Sequence, residues 1–173
     1  VGSVATEFLM EHLKVRQIGT VTMEEMPPVV AIHKEKLVPP VGIYYAEEQN
    51  IVILNVLAKG DGQEWNFARL IQDIAHELHA VEIICLEGVA GQGVDSQQDP
   101  REALQHQEHK NYVYATTDER MKKLQDLGFE TMQESIIMGV SAALILHKHD
   151  VTAFFTTTLS TIPDSSAAAE LIK

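Results

Sequence analysis

Cys85 is the only cysteine in the 173 residues. The chain can therefore form no internal disulfide and no zinc site built on several thiolates. Basic residues are also few: 13 Lys and Arg stand against 25 Asp and Glu, a formal net charge of −12. No basic stripe offsets that balance. Such a chain repels phosphate backbones and anionic lipid, which argues against nucleic acid and membrane surfaces as partners. A basic face on another protein would complement it. No apolar run approaches the roughly 18 residues that a membrane helix needs; the longest lies near residues 136–146. The opening Val1-Gly2-Ser3 carries no basic leader, so a secretory signal is not expected; the lone cysteine fits a reducing, cytoplasmic setting. Also missing are a G-x-x-x-x-G-K-[ST] loop, a G-x-G-x-x-G turn, an H-E-x-x-H pair and a G-x-S-x-G elbow.

Apolar residues make up 45% of the chain, enough for one sizeable core, and the length suits a single domain over 1–173. Helical spacing appears over 1–13, with Val4, Ala5, Phe8 and Leu9 on one side. Strands are expected at 16–23 and 29–37, each bounded by a Pro-Pro pair. A hairpin is expected from 42–46 and 51–57 around Glu47-Glu48-Gln49-Asn50. The pattern then changes. An amphipathic helix over 64–79 places Trp65 and Phe67 at core spacing, and a nearly continuous apolar strand follows at 81–86. Residues 91–110 are polar and read as a long exposed loop. A strand at 112–115 leads to a helix capped by Thr116 and Glu119 and stopped by Gly128. A short strand at 129–132, an apolar helix at 136–147, a buried strand at 151–157 and a helix at 165–172, started by Pro163-Asp164, complete the chain. Alternating strands and helices in this half imply a mainly parallel central sheet with helices on both faces.

Candidate chemistry is sparse. Gly88-Val89-Ala90-Gly91 follows the apolar strand, and the carboxyl ends of parallel strands are where α/β sheets bind ligands. Gly88, Ala90 and Gly91 are therefore the candidate ligand or partner site, as a glycine turn. His76 and His79, like His106 and His109, share an H-x-x-H spacing, but each pair falls on a polar face or loop. No metal site and no cofactor is expected from them. His147 ends a helix, where a cationic group suits the dipole. Cys85 fits a buried, inert thiol. Ile136, Ile137, Met138 and Val140 crowd apolar groups beside Gly139, more than one helix face can bury, and form the candidate oligomer interface.

Several segments in order resemble the proteasome-assembly-chaperone family. They are Val1-Gly2-Ser3-Val4-Ala5, the Pro27-Pro28 turn, the hairpin from Ile43-Tyr44-Tyr45-Ala46 to Ile51-Val52-Ile53-Leu54, and the strand running into Gly88-Val89-Ala90-Gly91. Val113-Tyr114-Ala115-Thr116-Thr117-Asp118-Glu119, the stretch 139–146, and Ile162-Pro163-Asp164 with Ala167-Ala168-Ala169 continue the series. Together they span nearly the whole chain. The resemblance implies a three-layer α/β/α fold similar to nucleoside phosphorylases, homo-oligomers, and binding to proteasome α-subunits. It implies a chaperone-like protein binder rather than an enzyme. The family's first strand and glycine turn have no counterpart from Val1 onward. The hydrophobic-Tyr-any tail of some members has none at Leu171-Ile172-Lys173, so it either lies outside this sequence or this member docks otherwise. The alternative is a nucleotide-like small-molecule binder or enzyme with its site near Gly88 and Gly91. An ATP-grasp ligase label carried by some relatives finds no supporting pattern.

Overall fold

The computed structural model describes residues 1–24, 26, 28–33, 35–57, 62–90, 109–147, 150–158 and 164–173. The chain forms two compact units, one over Ser3–Glu64 and one over Val1–Gly2 with Trp65–Lys173.

Among the described residues the smaller unit carries most of helix α1 (Gly2–His12) and five strands. Strands β1 (Arg16–Val21), β4 (Val41–Ala46) and β5 (Ile51–Val56) form an antiparallel sheet in the order β1-β4-β5. The expected hairpin is there, with Ala46 opposite Ile51 and Val41 opposite Val56. Its turn closes through Asn50, which takes a positive φ of 54°. Asn tolerates that conformation better than most residues. Its amide side-chain oxygen accepts from the Tyr45 hydroxyl at 3.0 Å. The single strand expected at 29–37 is instead two short ones, β2 (Ala31–His33) and β3 (Lys36–Val38), paired antiparallel. Glu35 is the reason: its φ of 64° folds the chain back within what reads as one apolar run.

The larger unit is built on a three-stranded sheet ordered β6-β8-β7, from β6 (Ile83–Ala90), β7 (Asn111–Ala115) and β8 (Val151–Thr158). Helices are α2 (Glu64–Glu77), α3 (Asp118–Asp126), α4 (Val140–Leu146) and α5 (Ser165–Ile172). Successive strand residues point to opposite faces. On one face Cys85, Val151, Ala153 and Phe155 pack with Ala68 of α2 and with Ala143 and Leu144 of α4. On the other, Val113, Ala115 and Phe154 pack with Met121 and Leu124 of α3. Helices thus cover both faces, as expected.

The sheet is mixed rather than mainly parallel. β6 and β8 run parallel, Ile83 opposite Val151 through Ala90 opposite Thr158. β7 runs antiparallel to β8, with Asn111 opposite Thr156. The cause is where β7 begins. A parallel crossover must carry the chain back to the starting end of the sheet. Here Ala90 and Asn111 lie opposite Thr158 and Thr156, so the chain re-enters where it left and has to run back.

Other expectations shift locally. β6 continues through Gly88 and Ala90, which are paired strand residues and not a turn. Thr117 rather than Thr116 is the N-cap of α3, and its side chain makes no capping bond. The Thr116 hydroxyl instead accepts from the Val151 N–H at 3.0 Å. Gly128 does end α3: at φ 91° it donates to the Gln125 carbonyl, and Phe129 donates to that of Leu124. The strand expected at 129–132 reduces to one parallel bridge, Thr131 with Val113. The helix expected over 136–147 starts only at Val140, because Gly139 sits at φ 85°, ψ −156°, a conformation open essentially to glycine alone. Trp65 is exposed, not core, while Phe67 is buried. Of the polar stretch 91–110, only His109 and Lys110 fall within the described residues.

Phe155 is fully buried on the central strand. Phe155→Ala is expected to destabilise the protein by about 3–5 kcal/mol in urea unfolding followed by circular dichroism.

Candidate functional site

At its carboxyl end β8 presents Thr156, Thr157 and Thr158, and two other segments close over them. Asp164, only 2% exposed, caps α5. Its carboxylate accepts from the Ala167 N–H at 2.8 Å, the Ser166 hydroxyl at 2.8 Å and the Thr158 hydroxyl at 2.7 Å. His109 reaches in from just before β7. Its Nδ1 lies 2.8 Å from the Thr157 carbonyl and its Nε2 2.8 Å from the Ser166 hydroxyl. Lys110 donates its N–H to Thr157 Oγ1 at 2.9 Å, and Asn111 donates its amide to the Glu170 carbonyl at 3.0 Å. The starts of β7 and α5 are thus fastened to the end of β8.

A serine hydroxyl within reach of an imidazole suggests an activated nucleophile. One feature argues otherwise. The Asp164 carboxylate, a charged acceptor, lies as close to Ser166 Oγ as His109 does and accepts its hydroxyl hydrogen bond. The arrangement holds the Ser166 hydroxyl in place rather than freeing it. Burial by itself pushes the Asp164 carboxyl up, but the Ala167 N–H, the Thr158 and Ser166 hydroxyls and the charge of His109 outweigh it, so the net shift is downward.

Gly88 and Ala90 lie opposite Thr156 and Thr158. A Cβ on Gly88 would stand 2.7 Å from Thr158 Cγ2 and 2.9 Å from Val1 Cγ2. Glycine is needed there for close packing. Gly91 lies outside the described residues. Ile136 and Met138 are 88% and 78% exposed, while Ile137 and Val140 pack against the core on the face opposite Gly88. The two candidate groups are therefore not brought together. His76 and His79 are exposed. Among the described residues no three His, Cys, Asp or Glu side chains gather to hold a metal. The His147 ring meets Trp65 edge-on, 5.4 Å between centroids.

Sequence reasoning found Asp164 as a helix start but missed its partners. His109 stands 55 positions before Asp164 and no spacing rule links them. The buried Cys85 was foreseen. Burial pushes its thiol up to about 11, the Ser141 hydrogen bond lowers it, and the Glu87 charge raises it. Ser141 itself donates to Glu87 at 2.5 Å.

The family profile of the PAC2 family matches residues 1–173. The chain belongs to the PAC2 family. Among solved structures, this PAC2 family chain is similar to Pyrococcus furiosus PbaA, described as an archaeal homolog of proteasome-assembly chaperone. The TM-score is 0.81 at 22% identity, over 98% of this chain and 68% of that one. It is similar to a Thermoplasma acidophilum protein of unknown function, with a TM-score of 0.78 at 19% identity over 99% and 68%. It is also similar to Pyrococcus furiosus PbaB, described as an archaeal proteasome activator, with a TM-score of 0.76 at 16% identity over 98% and 75%. At these identities the likeness is one of fold. No functionally curated protein matches the sequence significantly.

Two outcomes follow from the site. Asp164→Ala is expected to cost about 1–3 kcal/mol at neutral pH through the lost cap and the stranded donors. Because the folded carboxyl is depressed, that contribution is present above the ordinary value of 3.8 and is lost as pH falls through the folded value. Urea titrations should therefore show wild type and variant converging in acid. Cys85 should stay unlabelled by iodoacetamide at neutral pH in the native protein and react on unfolding, as mass spectrometry would report.

Proposed function

We propose that this PAC2 family chain is a non-catalytic, chaperone-like binding protein that assembles as a homo-oligomer and engages proteasome α-subunits. The observation that carries the reading is the exposed lead-in to α4. Gly139 breaks the helix, and the preceding residues alternate: Ile136 and Met138 point outward while Ile137 anchors in the core. Two large apolar side chains presented on either side of the core-packed Ile137 suit an interface with a second copy, burying on the order of 800 Å² per partner. The proteasome assignment is supported by the family and by the likeness to PbaA, an archaeal homolog of proteasome-assembly chaperone, and PbaB, an archaeal proteasome activator. The alternative, a small-molecule site at Gly88, gains no support, since Thr158 and Val1 fill the space beside it.

Light scattering at micromolar concentration is expected to give a multiple of the 19.2 kDa chain mass. Ile136→Asp with Met138→Asp should keep the circular dichroism spectrum and lower that mass. A wild-type monomer refutes the oligomer, and an unchanged mass in the folded variant moves the interface elsewhere. Purified proteasome α-subunits should co-elute with the wild-type protein; separate elution refutes the partner.

A further inference from the structure

Each unit leaves an apolar surface open. In the larger it is the lead-in to α4; in the smaller it is one face of the β2–β3 ribbon. We infer that this ribbon face receives Ile136 and Met138 of a second copy, so that subunits join head to tail. The inference rests on the homo-oligomer proposed above and supplies the surface that its lead-in meets.

Residues directly opposite each other in an antiparallel pair share a face, and the faces alternate along each strand. His33 lies opposite Lys36. Their face is turned toward α1, where the His33 ring stands between two carboxylates one helical turn apart. Nδ1 is 3.9 Å from Glu7 Oε1 and Nε2 is 3.4 Å from Glu11 Oε1. Ile32 and Leu37, also opposite each other, therefore form the outer face, and they are 78% and 65% exposed. Val30, just ahead of β2, is 57% exposed. A half-buried sheet ordinarily turns its apolar face inward and its polar face outward. Here the polar pair is the anchored one and the apolar pair is open. A two-stranded ribbon is marginal alone, so an uncovered apolar face on it marks a contact surface.

Area and charge both select the lead-in as the occupant. A stable contact buries on the order of 800 Å² per partner. Ile136 and Met138 packed on their own copies across a two-fold axis bring few side chains to that area. Against the ribbon they meet Ile32, Leu37 and Val30, and each subunit uses both surfaces, one toward each neighbour. The bordering charges are opposite. Glu130 and Glu134 flank the lead-in and are exposed, and the sequence holds no Lys or Arg between Lys123 and Lys148. The sequence of the ribbon sets Lys34 and Lys36 against Glu35, a local basic excess in a chain of net charge −12. Such surfaces attract each other and repel their own kind, which favours a heterologous contact over an isologous one. The lead-in is also tied down. The Val113 N–H donates to the Glu130 carbonyl at 2.8 Å, and the Met132 N–H donates to the Val113 carbonyl at 3.0 Å.

The test is complementation between two disabled full-length chains, read by size-exclusion chromatography with light scattering at micromolar concentration. One carries Ile32→Lys with Leu37→Glu, exposed positions where opposite charges across the strands keep the ribbon paired. The other carries Ile136→Asp with Met138→Asp. Circular dichroism should show both folded. Each alone is expected at the mass of one chain, 19.2 kDa. Their equimolar mixture is expected at twice that mass, because the intact lead-in of the first fits the intact ribbon of the second and the chain of contacts stops there. A wild-type monomer defeats the oligomer itself and this inference with it. A wild-type oligomer whose mass survives the folded ribbon variant overturns the pairing alone, and so does a mixture that stays at the single-chain mass. A ribbon variant that keeps its oligomer mass but no longer co-elutes with proteasome α-subunits also overturns it, and gives the face to that partner instead.

Discussion

Strand β8 has a neighbour on each side, and the larger unit depends on how its two ends are held. Its middle is apolar: Ala153 and Phe155 look into one core while Phe154 helps to form the other. Its ends are polar and buried. At the start, Thr116 accepts the Val151 N–H and Thr152 donates to Glu82. At the finish, Thr157 receives the Lys110 N–H and Thr158 donates to Asp164. Buried hydroxyls without partners would weaken a central strand. Here both ends are tied to the segments that flank them, so the sheet's polar bonds and its chain connections are the same bonds. Thr156 is the exception, with no partner for its hydroxyl among the described residues.

Fastening at the carboxyl end also sets the direction of β7. His109 and Lys110 lie beside Thr157, so Asn111 enters at that end and β7 runs against β8. The PAC2 family chain therefore departs from a strictly alternating parallel arrangement at one strand, for a reason that can be traced to a few hydrogen bonds.

Much of this was legible beforehand because it is local. The hairpin of β4 and β5 announced itself through alternation and a polar four-residue turn. Gly128 announced the end of α3, and Asp164 the start of α5. The family could be named from ordered segments that were weak singly. What escaped was of two kinds. Glu35 and Gly139 break runs of good periodicity through their φ angles, which apolar patterning does not encode. His109 with Ser166, and Glu82 with Arg120 and Thr152, are clusters assembled from positions 38 to 70 residues apart, where no spacing rule operates. The direction of β7 belongs to the second kind, since it follows from a contact and not from the strand's own residues.

Gly139 has a consequence for how such a chain can diversify. One residue in a glycine-only conformation separates the outward-facing Ile136 and Met138 from α4, whose Ala143 and Leu144 are locked into the core. Substitutions at Ile136 and Met138 do not propagate into helix register or core packing. The lead-in is therefore a surface whose outward residues can change at almost no cost to the fold, provided the glycine and the inward Ile137 stay. Divergent relatives could then share an architecture while differing freely at this one exposed stretch.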